Sequence, residues 1–158
     1  MKIWLINHYA KYENRHYFLA KHLIEHGHEV TVIASSFDHG MHKEQHLHKG
    51  ESSKLEIVEG VPFLWLKTLP YSGNNYKRVL NMFSFFKQCL GRSIRELESP
   101  DIIIGSSMHP FAALGGELLA RRYKVPFVFE IRDLWPQSFI DLAGVSRYHP
   151  VVLGLEPI

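Results

Sequence analysis

The sequence predicts an α/β domain built on a mostly parallel sheet. Three observations carry that prediction. "KIWLI" (Lys2–Ile6), "DIIIG" (Asp101–Gly105) and "FVFEI" (Phe127–Ile131) are short runs of β-branched and aromatic residues. Stretches of helical period separate them. The three consecutive isoleucines of "DIIIG" leave no polar face, the pattern of a strand covered on both sides. Strands of this kind alternating with helices imply parallel pairing through crossovers. With 158 residues, 46% hydrophobic and 22% charged, residues 1–158 suffice for one domain with its own core.

Each element has a local reason. Lys2–Ile6 opens the chain as a strand. Asn14 is a helix cap for a segment running to about His26, where Gly27 stops it. Glu29–Ala34 is a second strand. Ser35–Lys54 is polar and rich in His and Gly, and reads as a solvated loop. Leu55–Glu59 and Phe63–Lys67 are short strands around a turn at Gly60, Val61 and Pro62. After the "SGNN" loop, Tyr76–Glu98 reads as one long helix, with Val79, Phe83, Phe86, Leu90, Ile94 and Leu97 at helical spacing. Ser99 and Pro100 end it. A helix from about Phe111 to Tyr123 follows "DIIIG", and a short one near Gln137–Leu142 follows the strand at Phe127. The chain ends at Ile158 in what reads as the start of another helix.

In parallel α/β sheets, ligands bind beyond the carboxyl ends of the strands. Three predicted strand ends carry unusual polar residues. Asn7, His8 and Tyr9 follow the first strand. Ser106, Ser107, Met108 and His109 follow "DIIIG". Glu130, Arg132 and Asp133 close the strand at Phe127, just before Trp135 and Pro136. Charge at the end of a buried strand is costly unless something is bound there. His109 precedes a helix N-terminus, whose positive potential favours a neutral imidazole or a bound anion. It is either a proton-exchanging group or a satisfier of loop backbone. Arg132 and Asp133 either pair to organise the turn or present a carboxylate to sugar hydroxyls, oriented by Arg132 or Glu130. Trp135 is either an apolar face for a sugar or core.

Other classes find little support. A net charge of +2 is too small to argue for nucleic acid. No GxGxxG or GxxxxGK[ST] cradle is present, and "NHYAKYEN" after the first strand contains no glycine. The histidines between His39 and His48 lack cysteine partners and read as a solvated loop, partly protonated in mild acid, rather than a metal site. No organic cofactor or metal is expected. Cys89, the single cysteine, reads as a small apolar helix residue and suits a reducing compartment. The basic residues Lys77, Arg78, Lys87, Arg92 and Arg95 precede the first acid of the long helix, Glu96. That helix is read as a core helix with a solvated basic face, the other reading being contact with an anionic membrane surface. The apolar run at Ile3–Ile6 is too short for a signal peptide, and no stretch reaches the ~20 apolar residues of a span. The expected location is cytoplasmic, extending to the inner face of the cell membrane.

"RHYFLAKHLIEHGHEVTVIASSF", "GVPFLWLKTLPYSGNNYKRVLNMFSFF", "PDIIIGSSMHPFAALGGELLARRYKVPFVFEIRDLWPQS" and "LAGVSRYHP" together resemble the N-terminal half of bacterial family-4-type glycosyltransferases, in particular those that build O-antigen and capsular polysaccharide. The likeness covers almost the whole chain. "FEIRDLWPQS" and "SSMHPF" are its specific parts, and "HGHEVTVIA" is common to the wider superfamily. The resemblance implies one half of a GT-B fold, a Rossmann-like three-layer domain. It implies a retaining enzyme that needs no metal and uses a nucleotide-sugar as substrate. The acceptor would be a glycan or a lipid-linked sugar.

By the same resemblance His109 and Asp133 are the candidate catalytic residues. Arg15, His16, Glu130 and Arg132 match the family's pattern and, together with His8, Ser107 and Trp135 from the polar strand ends, are the candidate binding residues. Lys11, Tyr12, Glu13 and Asn14 depart from the family, standing where relatives have a glycine-rich loop. Relatives also continue into a C-terminal domain holding most of the donor site. The expectation is therefore that this chain alone does not transfer sugar, and that it works with that domain or with a partner in trans. The competing expectations are a non-catalytic carbohydrate-binding domain and a truncated remnant that self-associates through its exposed face.

Overall fold

In the computed structural model, residues 1–73, 75–107, 109–132, 137, 140, 141, 144 and 146–150 are described. Along them the chain forms β1 (Lys2–Ile6), α1 (Arg15–Glu25), β2 (Glu29–Ser35), β3 (Phe37–Asp38), β4 (Lys43–Glu44), β5 (Ser53–Val58), β6 (Val61–Leu66), α2 (Tyr76–Cys89), α3 (Arg92–Arg95), β7 (Ile102–Ser106), α4 (Pro110–Tyr123) and β8 (Phe127–Glu130). The main sheet has the order β5-β6-β2-β1-β7-β8. Every neighbouring pair is parallel except β5 with β6. The predicted α/β class with a mostly parallel, Rossmann-like sheet is what the chain adopts. β1 lies at the centre, Ile3–Ile6 pairing with Val30–Ile33 on one side and Ile102–Gly105 on the other.

Two cores cover the two faces. Trp4, Ile6, Ile33, Leu64 and Leu66 pack with Phe85 and Cys89 of α2, Ile94 of α3 and Leu119 of α4. Ile3, Leu5, Val30, Val32 and Phe63 pack on the other face against Tyr17 and Ala20 of α1. Cys89 is fully buried in the first of these cores, as expected of an apolar residue, and burial pushes its thiol pKa well up. α4 lies close to the sheet because two glycines meet. A Cβ at Gly105 would stand 2.8 Å from the Phe127 ring, and one at Gly116 would stand 2.9 Å from it. Both ends of α1 are as predicted: the Asn14 side chain accepts from the His16 and Tyr17 amides, and Gly27 has a φ of +81°.

Several expectations are corrected. The long helix is broken: α2 ends at Cys89 and α3 starts after its cap, Gly91. Its core stripe is also rotated. Val79 and Phe83 are exposed, while Asn81, Phe85 and Cys89 point inward. The helix carries two apolar stripes, and a buried polar anchor selects between them: the Asn81 amide donates to Thr68 Oγ1 at 2.9 Å and the Leu69 carbonyl at 2.7 Å.

The turn between β5 and β6 is Glu59 and Gly60, both at positive φ, a two-residue hairpin loop. Pro62 therefore lies inside β6, opposite Ile57. Val58 and Val61 close the hairpin as a bonded pair, so position 62 alternates to a non-bonded one and tolerates a missing N–H. The segment after β2 is no free loop. Ser36 and Phe37 are buried, and β3 pairs with β4. β8 is an edge strand with Val128 and Phe129 more than two-fifths exposed, not a buried strand. The short helix expected near Gln137–Leu142 and the one expected at the chain end fall largely outside the described residues.

Candidate functional site

The three polar strand ends meet at one edge of the sheet. β1 and β7 are adjacent, and β8 flanks β7, so His8, Ser107, His109 and Glu130 emerge side by side. The turn into α1 brings Arg15 and His16 against them.

His109 caps α4. Its Nδ1 accepts from the Ala112 amide at 3.3 Å, with Pro110 at the first helical position. A ring nitrogen that accepts carries no proton, so a neutral His109 holds its proton on Nε2. That atom lies 2.6 Å from His8 Nδ1 and donates to it. His8 is left with its own proton on Nε2; the Asn81 side chain nearby favours its charged form, but Asn81 Oδ1 has no hydrogen-bond partner among the described residues. Asn81 donates in turn to Thr68 Oγ1, which bonds Ser35 Oγ at 2.8 Å. One helix cap thus sets the tautomers of the His8–His109 pair. The His8 ring stacks on both Tyr9 and Phe85 at 4.5 Å. Both histidines are at most 2% exposed. Burial, followed by the His109 and His39 rings and the charge of Arg78, holds His8 well below the usual histidine range. Burial and Arg78 push His109 down to about 3.

Glu130 centres the second cluster. Its Oε1 lies 2.6 Å from Arg15 Nη2, and its Oε2 accepts from His16 Nε2 at 2.9 Å. Burial raises the Glu130 pKa, but hydrogen bonding to Ser106 and His16 and the charge of Arg15 outweigh it, and the net shift is downward. His16, 2% exposed, is held below its ordinary value by burial despite Glu130. Ser107 ties the strand ends together: its amide donates to the Glu130 carbonyl at 2.9 Å, and its hydroxyl accepts from the Arg132 amide at 3.0 Å. The Arg132 side chain is exposed at the rim. Of the sequence-predicted site residues, His8, Arg15, His16, Ser107, His109, Glu130 and Arg132 therefore converge. Asp133 and Trp135 lie outside the described residues.

Beside these clusters opens a cleft of about 260 Å3 between the β1–α1 turn and the β2–β4 segment. Tyr9, Lys11, Asp38, His39 and His46 line it, with Trp65 behind. His46 stacks on Trp65 at 3.6 Å and 7°, and the Trp65 indole donates to Glu56 Oε2 at 2.9 Å. Lys11 and Asp38 face each other at 3.6 Å. Aromatic faces beside carboxylate, ammonium and imidazole suit a polyhydroxylated ligand. Among the described residues, no three His, Cys, Asp or Glu side chains converge to hold a metal ion.

The sequence reading missed Arg78, Asn81 and the His46–Trp65 stack. Asn81 carried a usable signal: it stands four and eight residues before Phe85 and Cys89, on one helix face. Nothing local links His46 to Trp65, because the register that brings them together is set by the sheet.

A family model described as "Glycosyl transferase 4-like domain" matches residues 13–151. No curated protein matches the chain.

Proposed function

Because the chain belongs to the glycosyl transferase 4-like family, we propose that it is the acceptor-side domain of a retaining transferase. In this reading a sugar moves from a nucleotide-sugar to a saccharide or lipid-linked acceptor in the synthesis of cell-surface polysaccharide of the O-antigen or capsule type. A second domain, in the same chain or in trans, would hold the nucleotide. The observation that supports this reading beyond the family is the meeting of three polar strand ends beside a cleft lined by aromatic and charged side chains.

The roles follow from position. The cleft takes the acceptor sugar, its rings facing Tyr9 and His46. Arg15 and Arg132 stand at the rim, where a diphosphate leaving group would need cations. Glu130 orients Arg15 and His16. His109 fixes the tautomer of His8 from beneath, and its place in the reaction is at the transferred sugar once the edge is occupied. Asp133 accepts from sugar hydroxyls and Trp135 offers an apolar face, both by their place in the sequence.

A second reading is a carbohydrate-binding domain without chemistry. The observation that favours it is the closure of the His8–His109 pair, both rings buried and neutral. Titration of isotope-labelled protein with saccharides and with nucleotide-sugars, followed by amide shifts, tests the acceptor site. Saccharides are expected to move Tyr9, Asp38, His39 and His46. If none does, or if nucleotide-sugar alone fills that cleft, the acceptor assignment is wrong. Release of nucleotide from a nucleotide-sugar once a donor domain is present separates the transferase from the binding domain.

A further inference from the structure

β5 forms one lateral border of the main sheet, and among the described residues no strand pairs with its outer side. Because Val58 and Val61 are a bonded pair, Glu56 and Lys54 also turn their N–H and C=O groups toward β6. The same groups of Ser53, Leu55 and Ile57 point away from the sheet, a row of alternating donors and acceptors. The side chains divide as well. Leu55 and Ile57 stand on one face, 58% and 72% exposed. Lys54 and Glu56 stand on the other, bonded to each other at 2.7 Å. An open strand border with exposed aliphatic side chains is a template for another strand.

The charges decide which strand fits. Pairing across a two-fold axis is self-complementary: residue i of one copy faces residue j of the other, and j faces i. Only registers that set Ser53, Leu55 and Ile57 against one another use the outward groups. A register centred on Lys54 opposes lysine to lysine, and one centred on Glu56 opposes glutamate to glutamate, both unfavourable directly across a ladder. Centring on Ser53 or Ile57 leaves most of the strand unpaired. Centred on Leu55, Lys54 of each copy meets Glu56 of the other, in the non-bonded positions where side chains come closest. Leu55 then faces Leu55 in a bonded pair, and Ile57 faces Ser53. Glu56 is already held in place, its Oε2 accepting from the Trp65 indole at 2.9 Å with His46 at 3.4 Å. Beyond the strand Glu51 would oppose Glu59, which confines the pairing to β5. We propose that β5 pairs antiparallel with β5 of a second copy, joining two sheets into one across a two-fold axis at Leu55. Charges on a strand border commonly keep strands apart; here they reject the other registers and admit one. The inference rests on β5, away from the strand ends where sugar transfer is proposed, so it stands or falls apart from that reading.

Sedimentation equilibrium of the 158-residue protein over a concentration series tests it. One strand per copy is a small interface, so a dimer with a dissociation constant on the order of 10–100 µM is expected. Lys54→Glu should weaken it at least about tenfold, and so should Glu56→Lys. An equimolar mixture of the two variants should dimerise again, because each charge then meets its opposite. Circular dichroism checks that each variant is folded. Cross-linking reads the register independently, and it decides even where Glu56→Lys fails to fold for want of its Trp65 contact. The single native cysteine, Cys89, is buried and does not compete. Leu55→Cys sets two thiols in a bonded pair with Cα atoms about 5.5 Å apart, within disulfide reach, so mild oxidation should give a covalent dimer. Ile57→Cys should not, its two thiols lying about 13 Å apart along the strands. A protein that stays monomeric at about 1 mM overturns the proposal. So does a dimer that Lys54→Glu leaves unchanged, or one in which Ile57→Cys cross-links as readily as Leu55→Cys.

Discussion

Two histidine-rich regions face one cleft and behave in opposite ways. At the sheet edge, His8, His16 and His109 come from different parts of the chain and are buried to within 2% of complete. In the β2–β4 segment, His39, His42, His46 and His48 are neighbours in sequence, and none of the four is fully buried. A count of histidines favours the second group as a site, whereas the structure gives the first group the helix cap and the closer carboxylate, Glu130 at 2.9 Å from His16 against Glu56 at 3.4 Å from His46. What separates them is enclosure. At His8 and His109 the facing ring nitrogens are matched, which fixes where their protons lie, whereas at His16 Nε2 bonds Glu130 and the buried Nδ1 has no partner among the described residues. A half-exposed ring shares that matching between water and protein, as His39 does with Tyr71 and His46 with Glu56. The segment is not uniformly solvated, however: His39 and His46 are held below the usual histidine pKa, mainly by burial.

The largest effect that sharpens this contrast is acid sensitivity. His8, His16 and His109 have folded pKa values below the ordinary 6.5. Below pH 6.5 the unfolded chain takes up protons that the folded chain refuses, so stability falls as pH falls. For His109 the window extends from 6.5 to about 3. Each such histidine contributes at most roughly 1.4 kcal/mol per pH unit, and three together about 4. Thermal melts between about pH 7.5 and about pH 5 should show a plateau and then a steep decline. A melting temperature that stays level throughout would mean the edge histidines are not enclosed.

His109→Asn comes next. Asparagine can still cap α4 but leaves His8 Nδ1 without its donor, at a cost of about 1–3 kcal/mol. The acid slope should lose about one histidine's share. An unchanged slope would show that His109 is protonated in the fold after all. Glu130→Gln should cost somewhat less, about 1–2 kcal/mol, because Arg15 is largely exposed. Its specific readout is His16: Glu130 raises that pKa against burial, so the variant should titrate lower by NMR. An equal or higher His16 pKa would contradict the pairing.

How much of this was legible in the sequence depends on whether the signal was local. Asn14 as a cap, Gly27 as a stop and "DIIIG" as an interior strand need only neighbours in sequence, and each is found in place. The convergence of His8, His109 and Glu130 was legible too, since parallel topology sends the carboxyl ends of β1, β7 and β8 to one edge. The rotation of α2 was not. Val79 and Phe83 are as apolar as Phe85, and the choice of inner face rests on Asn81 reaching Thr68 across the sheet. The break at Gly91 was overridden by a helical pattern that resumes at Ile94. Trp65 and His46 meet only because β6 lies beside β2.

The smallest predicted effects divide the β2–β4 segment itself. His46→Ala removes a ring stacked on Trp65 at 3.6 Å and a contact with Glu56 at 3.4 Å. The expected cost is about 0.5–1.5 kcal/mol, with a wider cleft and greater solvent quenching of indole fluorescence. His42→Gln lies on the exposed tip and should change stability by less than ~0.5 kcal/mol. If both substitutions prove neutral, the segment is the solvated loop its composition suggested, and the cleft loses one wall. If His46→Ala alone costs stability and exposes the indole, the segment is a fixed wall. The contrast with the sheet edge is then one of degree, with enclosure grading from His42 through His46 to His109.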